Sequence, residues 1–559
     1  MDTLYHLLEE AAARFPSAIA LQGDREGGGR AAYTRPELRA RAAALARALV
    51  EEGVKPGDPV ALLSPNRPEW AAGYFGAALA GAVLVPLDVN LKEGELLNVL
   101  RRSGARALVT DGAERERGAA LLSILGGGCP HLRLDEPPAL PPPQPEDLPG
   151  ASRREDDLAL LSFSSGTTGV PKGVMLTHRN IVSNVRAVMD PFVCGPGDVF
   201  LSVLPLHHMF ESTAGLLLPI ATGATVHYLA SLNPRVLAET MRREEVSICL
   251  MVPALLRLMH KRILGTAYST GGVKGLLFRL LFPLSRALAK AGVRAGGAIF
   301  PQARRALSPR LRYLVSGGAA LDPEVGWDLL ALGIEVIQGY GLTETAPITH
   351  ANRPGRGNRI GTVGPPIPGV EARLEPVPGG APGEGEVWIR GPNVMQGYFG
   401  NPGLTAEVLK DGWFRTGDIG RVDGEGYLTI CGRAKNVVVL ESGKNVYPEE
   451  VEEELAKSAL FKEACVIGRR AGRAEEVFAV VVVDPEAPAF QGPQGAGERQ
   501  REAEREVARL CVGLADYKRV SGVYLWPGEA LPRTTTLKHK REEIKEALRR
   551  APGYGPGDF

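Results

Sequence analysis

The sequence predicts an α/β protein: a large N-terminal body built on several sheets, followed by a small C-terminal α+β domain. Three observations predict it. At 559 residues the chain exceeds what one hydrophobic core usually supports. Between residues 38 and 110, strand-length apolar runs alternate with helical stretches, the rhythm of a largely parallel sheet. Near residue 435, glycine-punctuated charged text gives way to a compact tail.

The elements follow in order. MDTLYHLLEEAAARF reads as an acidic amphipathic helix and lacks the basic start and apolar core of a secretory signal, so the cytoplasm is the default compartment. LRARAAALARALVEEG and EWAAGYFGAALAGA read as helices, and PVALLS, VLVPL and ALVT as the strands between them. The proline-rich stretch Glu136–Gly150 is expected to be a surface connector without packed structure. A buried strand, LALLSF, follows, and α/β text continues to about Arg390. The expected domains are 1–434 and 435–559. In the second, the strand VFAVVVV is flanked by helical patterns at Pro448 to Ser458 and Gly497 to Leu514.

Composition excludes several function classes. Hydrophobic residues at 44% and charged residues at 23% are ordinary for a globular protein. A net charge of +1 gives no global field to recruit nucleic acid. Cys129, Cys194, Cys249, Cys431, Cys465 and Cys511 lie far apart, without C-x-x-C or tight Cys/His spacing, and read as reduced thiols. A membrane span needs about 18 consecutive apolar residues. The nearest candidate, Leu276 to Ala289, is broken by Arg279 and Arg286.

LALLSF runs into SSGTTGVPKG, Ser164 to Gly173. Gly166, Gly169 and Gly173 permit unusual dihedrals, and the hydroxyls of Ser164, Ser165, Thr167 and Thr168 can point inward around phosphate oxygens. A Walker loop is disfavoured, because Lys172 follows Gly169 by three positions and Gly173 stands after it. A generic loop of this composition is as often a plain surface turn. The full string, however, resembles the signature of the adenylate-forming superfamily, which holds acyl-CoA synthetases, firefly-type luciferases and peptide-synthetase adenylation domains. That resemblance implies that Ser164 to Thr168, Gly169 and Lys172 grip the β- and γ-phosphates of ATP.

Further motifs of the same superfamily follow in order. IQGYGLTETAPI carries Gln338, Gly339, Tyr340, Thr343 and Glu344. A ring can stack on adenine, a hydroxyl can bond the α-phosphate, and a carboxylate beside phosphates commonly holds Mg²⁺. The resemblance assigns these roles to Tyr340, Thr343 and Glu344. YLVSGGAALDPE ends in the small residues Gly317, Gly318, Ala319 and Ala320. In the family this segment lines adenine and the acyl pocket; a tight helix start before Asp322 also favours small residues. Asp418 and Arg433 match the positions that bind the ribose hydroxyls.

Adenylate formation brings a carboxylate to the α-phosphate, so positive charge at the reaction centre should matter more than a general base. LPRTTTLKHKREEI resembles the superfamily's closing motif and puts Lys538 in the catalytic place, with Leu537 and Arg533 departing from the usual residues and Lys540 a nearby competitor. In the family, the small domain rotates about a residue two after the ribose-binding arginine, here Lys435, to admit CoA. Ser442, Gly443 and Lys444 match the segment that then faces the pantetheine; a hairpin glycine explains Gly443 equally well.

LPLHHMFE matches the acyl-side motif, with His208 in the histidine position, and its ending is similar to long-chain fatty acyl-CoA synthetases. A core histidine is an even alternative for His207. The stretch from Lys261 to Arg312 mixes Lys274, Arg279, Arg286, Lys290 and Arg294 with Leu and Phe. Two readings stand: an interfacial helix at an inner membrane surface, or a helix packed on the protein body. The expected activity is AMP-forming ligation of a medium- or long-chain fatty acid to CoA with ATP and Mg²⁺. An aryl or other acyl-CoA ligase, a fatty acyl-AMP ligase and a catalytically inactive nucleotide-binding protein stand as alternatives. A luciferase-like monooxygenase is weaker. A carrier-loading adenylation domain is disfavoured because no carrier module precedes Phe559. The oligomeric state stays open, a homodimer among the options.

Overall fold

The alternation expected between residues 38 and 110 is present. A computed structural model describes residues 1–24, 29–135, 144–164, 171–229, 231–471, 474–491, 495–533, 539–555 and 557–559. These gather into two compact units, one comprising residues 1–164, 171–371 and 389–414, the other 372–388 and 415–559. The expected division at Lys435 lies within the second unit, in the short turn Ala434–Asn436. A hinge concerns motion, and Lys435 as its pivot stays a proposal.

In the first unit, a seven-stranded sheet runs Gly397–Tyr398, Lys172–Thr177, Leu158–Ser164, Val83–Leu87, Pro59–Leu63, Ala107–Thr110 and His131–Arg133. Its Val83–Leu87, Pro59–Leu63 and Ala107–Thr110 strands pair in parallel. They are apolar runs because both faces are covered. The helix read from Leu38 begins three residues earlier and spans Arg35–Glu51, because the Thr34 hydroxyl accepts from the Glu37 N–H while the Glu37 carboxylate accepts from the Thr34 N–H at 2.7 Å. The expected N-terminal helix spans Leu4–Arg14 and buries Leu4, Leu7, Leu8 and Ala11.

The unit's other sheet has eight strands, ordered Ile348–Ala351, Val336–Gly341, Tyr313–Ser316, Ile248–Met251, Val199–Ser202, Thr225–Tyr228, Ile19–Asp24 and Arg30–Thr34. All but its two edge pairings are parallel. Behind it lies a π-helix, Glu211–Leu217, continuing into the helix Leu218–Thr222. Arg35 reaches the end of that helix and is 0% exposed. Its guanidinium donates to the carbonyls of Ile220 at 3.0 Å, Pro219 at 3.0 Å and Ala224 at 2.6 Å. Burial lowers its pKa to about 10, so it remains charged, and it satisfies carbonyls that a helix end leaves without partners.

One expectation is corrected. The proline-rich stretch is not wholly a loose connector: residues 136–143 lie outside the described set, but Leu148 is 6% exposed and Gly150 is buried. A Cβ at Gly150 would meet the Ala78 carbonyl at 2.4 Å, so only glycine lets this turn close on the end of the helix Pro68–Leu79.

The second unit is the expected α+β arrangement. Phe461–Ala471 pairs antiparallel with Ala474–Val483, which pairs in parallel with Gly522–Leu525. Val451, Val481, Ala503 and Val507 fill one face of this sheet beneath the helices Pro448–Leu455 and Ala496–Leu510. Cys465, Phe478, Ile544 and Leu548 fill the other beneath the helix Arg541–Arg549.

Candidate active site

Ser165, Gly166, Thr167, Thr168, Gly169 and Lys538 lie outside the described residues. The strands that flank the phosphate loop are described: Ser164 ends Leu158–Ser164 and stands opposite Lys172, which begins Lys172–Thr177. The antiparallel hairpin therefore fixes both ends of the loop.

Lys172 and Glu344, 172 positions apart in sequence, meet the same side chain. The Lys172 ammonium lies 5.5 Å from the Tyr398 ring centroid. The Tyr398 hydroxyl donates to the Glu344 carboxylate at 2.9 Å. Main-chain bonds hold this arrangement: the Met395 N–H donates to the Glu344 carbonyl at 2.8 Å and the Phe399 N–H to the Gly173 carbonyl at 2.8 Å. Tyr398 is 6% exposed, and a hydrogen bond to a carboxylate there is stronger than between neutral groups. Thr343 and Glu344 are half-buried in the short 3-10 turn Thr343–Thr345. Two buried asparagines pin that turn: Asn393 donates to the Thr345 carbonyl at 2.9 Å, and Asn184 to the Ile348 carbonyl at 2.7 Å.

The other first-unit candidates share a simpler cause. Val199–Ser202, Ile248–Met251, Tyr313–Ser316 and Val336–Gly341 lie side by side in parallel, Ser316 opposite Gln338. His208 follows the first, Gly317 to Ala320 the third, and Gln338, Gly339 and Tyr340 close the fourth. All stand at or beyond the carboxyl ends of adjacent strands, where α/β sheets bind ligands. Tyr340 is half-buried opposite His350, with ring centroids 6.1 Å apart. Gly318 and Ala319 are exposed, and Gly318 has φ +84°, which favours glycine. Gly317 is packed tightly: a Cβ there would stand 3.0 Å from the Phe210 ring.

The His208 ring lies 4.1 Å from that of His207. His207 has a partner that its sequence neighbourhood did not reveal, Asp88 at 3.5 Å. Burial pushes the His207 pKa down while Asp88 opposes the shift. Glu211, the last residue of HHMFE, is 1% exposed at the start of the π-helix. Burial pushes its carboxyl up to about 8, with the Ser202 hydroxyl pulling the other way.

In the second unit, Asp418 and Arg433 face each other across an antiparallel pair, carboxylate to guanidinium at 2.8 Å. Asp418 is 3% exposed. Lys435 is exposed, and Gly443 turns the hairpin Val438–Val439/Asn445–Val446 with φ +75°. The ends of the segment that carries Lys538 are anchored. Arg533 and His539 form an antiparallel bridge, and the Lys540 N–H donates to the Pro532 carbonyl at 2.9 Å. Glu463 accepts from the Leu531 N–H at 3.0 Å and pairs with Arg533 at 3.0 Å. On the other side, Arg541 donates to Glu452 at 2.7 Å. Glu452, Cys465 and His539 offer metal-ligand atoms within 4.8 Å of one another. The Arg541 guanidinium already supplies the cation at Glu452.

Tyr398, Asn184, Asn393 and Glu463 escaped the sequence reading. Tyr398 carries a faint signal, a tyrosine between glycines in QGYFG; the others carry none.

A family model described as AMP-binding enzyme matches residues 8–399. A feruloyl-CoA synthase of Amycolatopsis sp is 34% identical over 537 residues, spanning 95% of this chain and 96% of its own. A long-chain-fatty-acid–CoA ligase of Mycobacterium bovis is 32% identical over 485 residues, spanning 81% of this chain and 76% of its own. Among solved structures, ATP-bound MatB from Rhodopseudomonas palustris superposes with a TM-score of 0.74 at 25% identity, covering 98% of this chain and 99% of its own.

Proposed function

The chain belongs to the AMP-binding enzyme family and is an acyl-CoA synthetase, and on that premise we propose that it is an AMP-forming fatty acid–CoA ligase for medium- or long-chain acids. In the first step a carboxylate oxygen attacks the α-phosphorus of ATP, forming acyl-AMP and releasing pyrophosphate. In the second the CoA thiol loses its proton and its sulfur attacks the acyl carbonyl, forming the thioester and releasing AMP.

The observation that carries this reading is the meeting of Lys172 and Glu344 on Tyr398. It joins a cation from the phosphate hairpin to a carboxylate from the GLTE turn. Lys172 would hold the departing pyrophosphate. Glu344 is a hard oxygen donor of the kind Mg²⁺ prefers, and the ion would neutralise phosphate charge there. Tyr398 would orient that carboxylate. Thr343 would bond the α-phosphate and Tyr340 stack on adenine. Asp418, with Arg433 beside it, would accept from the ribose hydroxyls. Lys538 would meet the negative charge that develops on the α-phosphate. His208, Gly318 and Ala319 would line the acyl side, and Gly443 the CoA side after a rotation about Lys435.

The HMFE ending of the acyl-side motif and the fatty-acid ligase among the relatives support an aliphatic chain. A second reading, a hydroxycinnamate ligase, is favoured by the longer and slightly closer match to the feruloyl-CoA synthase. Pure protein with ATP, Mg²⁺ and CoA, offered a ladder of saturated fatty acids alongside ferulate, separates them by AMP release and thioester formation. Turnover that rises with chain length supports the fatty-acid reading. Turnover on ferulate alone replaces it with the second, and no turnover on any acid overturns both substrate readings.

A further inference from the structure

The helix Gly272–Lys290 has two apolar faces, and only one is used. Gly275, Phe282, Ser285 and Ala289 are buried, four positions that lie together on one side of a helix. Phe278 and Phe282 stack at 5.1 Å and meet Tyr268 and Phe300, which ties the helix to its neighbours Pro253–Ser269 and Pro301–Leu307. On the opposite side Val273, Leu276, Leu277, Leu280 and Leu284 are between 49% and 74% exposed. They recur at helical spacing and form a continuous stripe along the outer surface. The helix is thus both packed on the body and apolar outward, so the two readings of its sequence are not exclusive.

The charge around this stripe has one sign. From Val246 to Leu321, 76 residues, the sequence contains twelve Lys and Arg and no Asp or Glu. Arg286 and Lys290 are committed to Glu324 and Asp328 on the buried side. Lys261, Arg262, Lys274 and Arg305 have no ion-pair partner among the described residues. Lys274 stands on the helix itself, flanking the stripe, and Lys261 and Arg262 are exposed on the neighbouring helix beside Leu258, itself 51% exposed. No helix among the described residues is long and apolar enough to cross a membrane.

We propose that the outer face of Gly272–Lys290, with Lys261, Arg262 and Lys274, docks on the surface of an anionic lipid bilayer. Leucines entering the headgroup boundary and lysines meeting lipid phosphates are what an interfacial helix requires. The charge asymmetry selects this occupant over a second copy of the chain, whose matching face would bring like charges together. That the contact collects membrane-borne acyl chains rests on the fatty-acid reading above; the contact itself does not.

The test is co-sedimentation of the full chain with vesicles of phosphatidylglycerol and, separately, of phosphatidylcholine, with analytical ultracentrifugation of the lipid-free protein. The expected result is binding to phosphatidylglycerol that weakens with salt, falls roughly tenfold or more in Leu277→Ser/Leu280→Ser/Leu284→Ser, and falls similarly in Lys261→Glu/Lys274→Glu. All three proteins should share one sedimentation coefficient and one melting temperature, because the replaced side chains are exposed. Equal binding by the variants, no binding by the wild type, or a wild-type dimer that the leucine variant dissociates would each overturn the proposal. Vesicle binding is read without turnover, so an enzyme inactive on every fatty acid would sink the fatty-acid reading and leave this one standing.

Discussion

The Tyr398 hydroxyl donates a 2.9 Å hydrogen bond to the Glu344 carboxylate, joining residues 54 positions apart. That bond restricts where the carboxylate can point. If Glu344 holds Mg²⁺, Tyr398→Phe frees it to rotate. A hydrogen bond to a charged group contributes about 1.5–3 kcal/mol, so acid-dependent AMP release should fall about tenfold or more and need higher Mg²⁺ for half-saturation. A Mg²⁺ titration of the variant checks it; an unchanged midpoint would detach Tyr398 from metal binding.

If Asp418 accepts hydrogen bonds from a ribose, as proposed above, Arg433 at 2.8 Å orients its carboxylate. Asp418→Asn keeps the shape and removes the charge. The KM for ATP should rise about tenfold or more, while 2′-deoxy-ATP, already lacking one hydroxyl, loses less. Equal losses for the two nucleotides would remove Asp418 from the ribose contact.

Lys538→Ala should abolish adenylate formation from acid and ATP and leave conversion of added acyl-AMP and CoA to the thioester intact. Loss of both half-reactions to the same degree refutes the assignment. Glu463→Gln should act in the same direction more weakly, since Glu463 acts through Leu531 and Arg533 at the near end of that segment. Restoration by Glu463→Asp would separate positioning from a general loss of stability.

Glu211 makes a pH-dependent contribution to stability. Its carboxyl is raised from 4.5 to about 8 by burial, so the native state keeps a proton that the unfolded chain releases. That contribution is complete below the unfolded pKa and is lost as pH rises through the native one. Glu211→Gln should therefore flatten the fall in melting temperature between roughly pH 5 and pH 9, a difference on the order of a few kcal/mol at the alkaline end. Parallel profiles for the two proteins would mean that Glu211 is ionised in the native state.

Much of the fold was legible because its causes are local. The capping pair Thr34 and Glu37 announces a helix within four residues, and VFAVVVV is a buried strand by composition alone. Motif text also singled out Tyr340, Glu344 and Asp418, which lie at the end of the strand Val336–Gly341, in the turn Thr343–Thr345 and in the strand Trp413–Val422. What escaped depends on distance. His207 finds Asp88 from 119 positions away, and Asn184 reaches the Ile348 carbonyl across 164. No spacing rule records such meetings. Gly150 read as loop text because a glycine in a proline-rich run looks the same whether it faces water or the end of a helix.

The buried Arg35 sets a limit on how the chain can be shortened. A version beginning after this residue would lose the guanidinium that donates to the carbonyls of Pro219, Ile220 and Ala224, leaving at Pro219 only the longer 3.4 Å bond from the Thr222 hydroxyl in an apolar interior. The same helix begins at the π-turn that carries Glu211, next to His208. Trimming the N-terminus to obtain a smaller catalytic fragment would therefore disturb the segment that carries His208 and Glu211, and any useful fragment must retain the chain from before Thr34 onward.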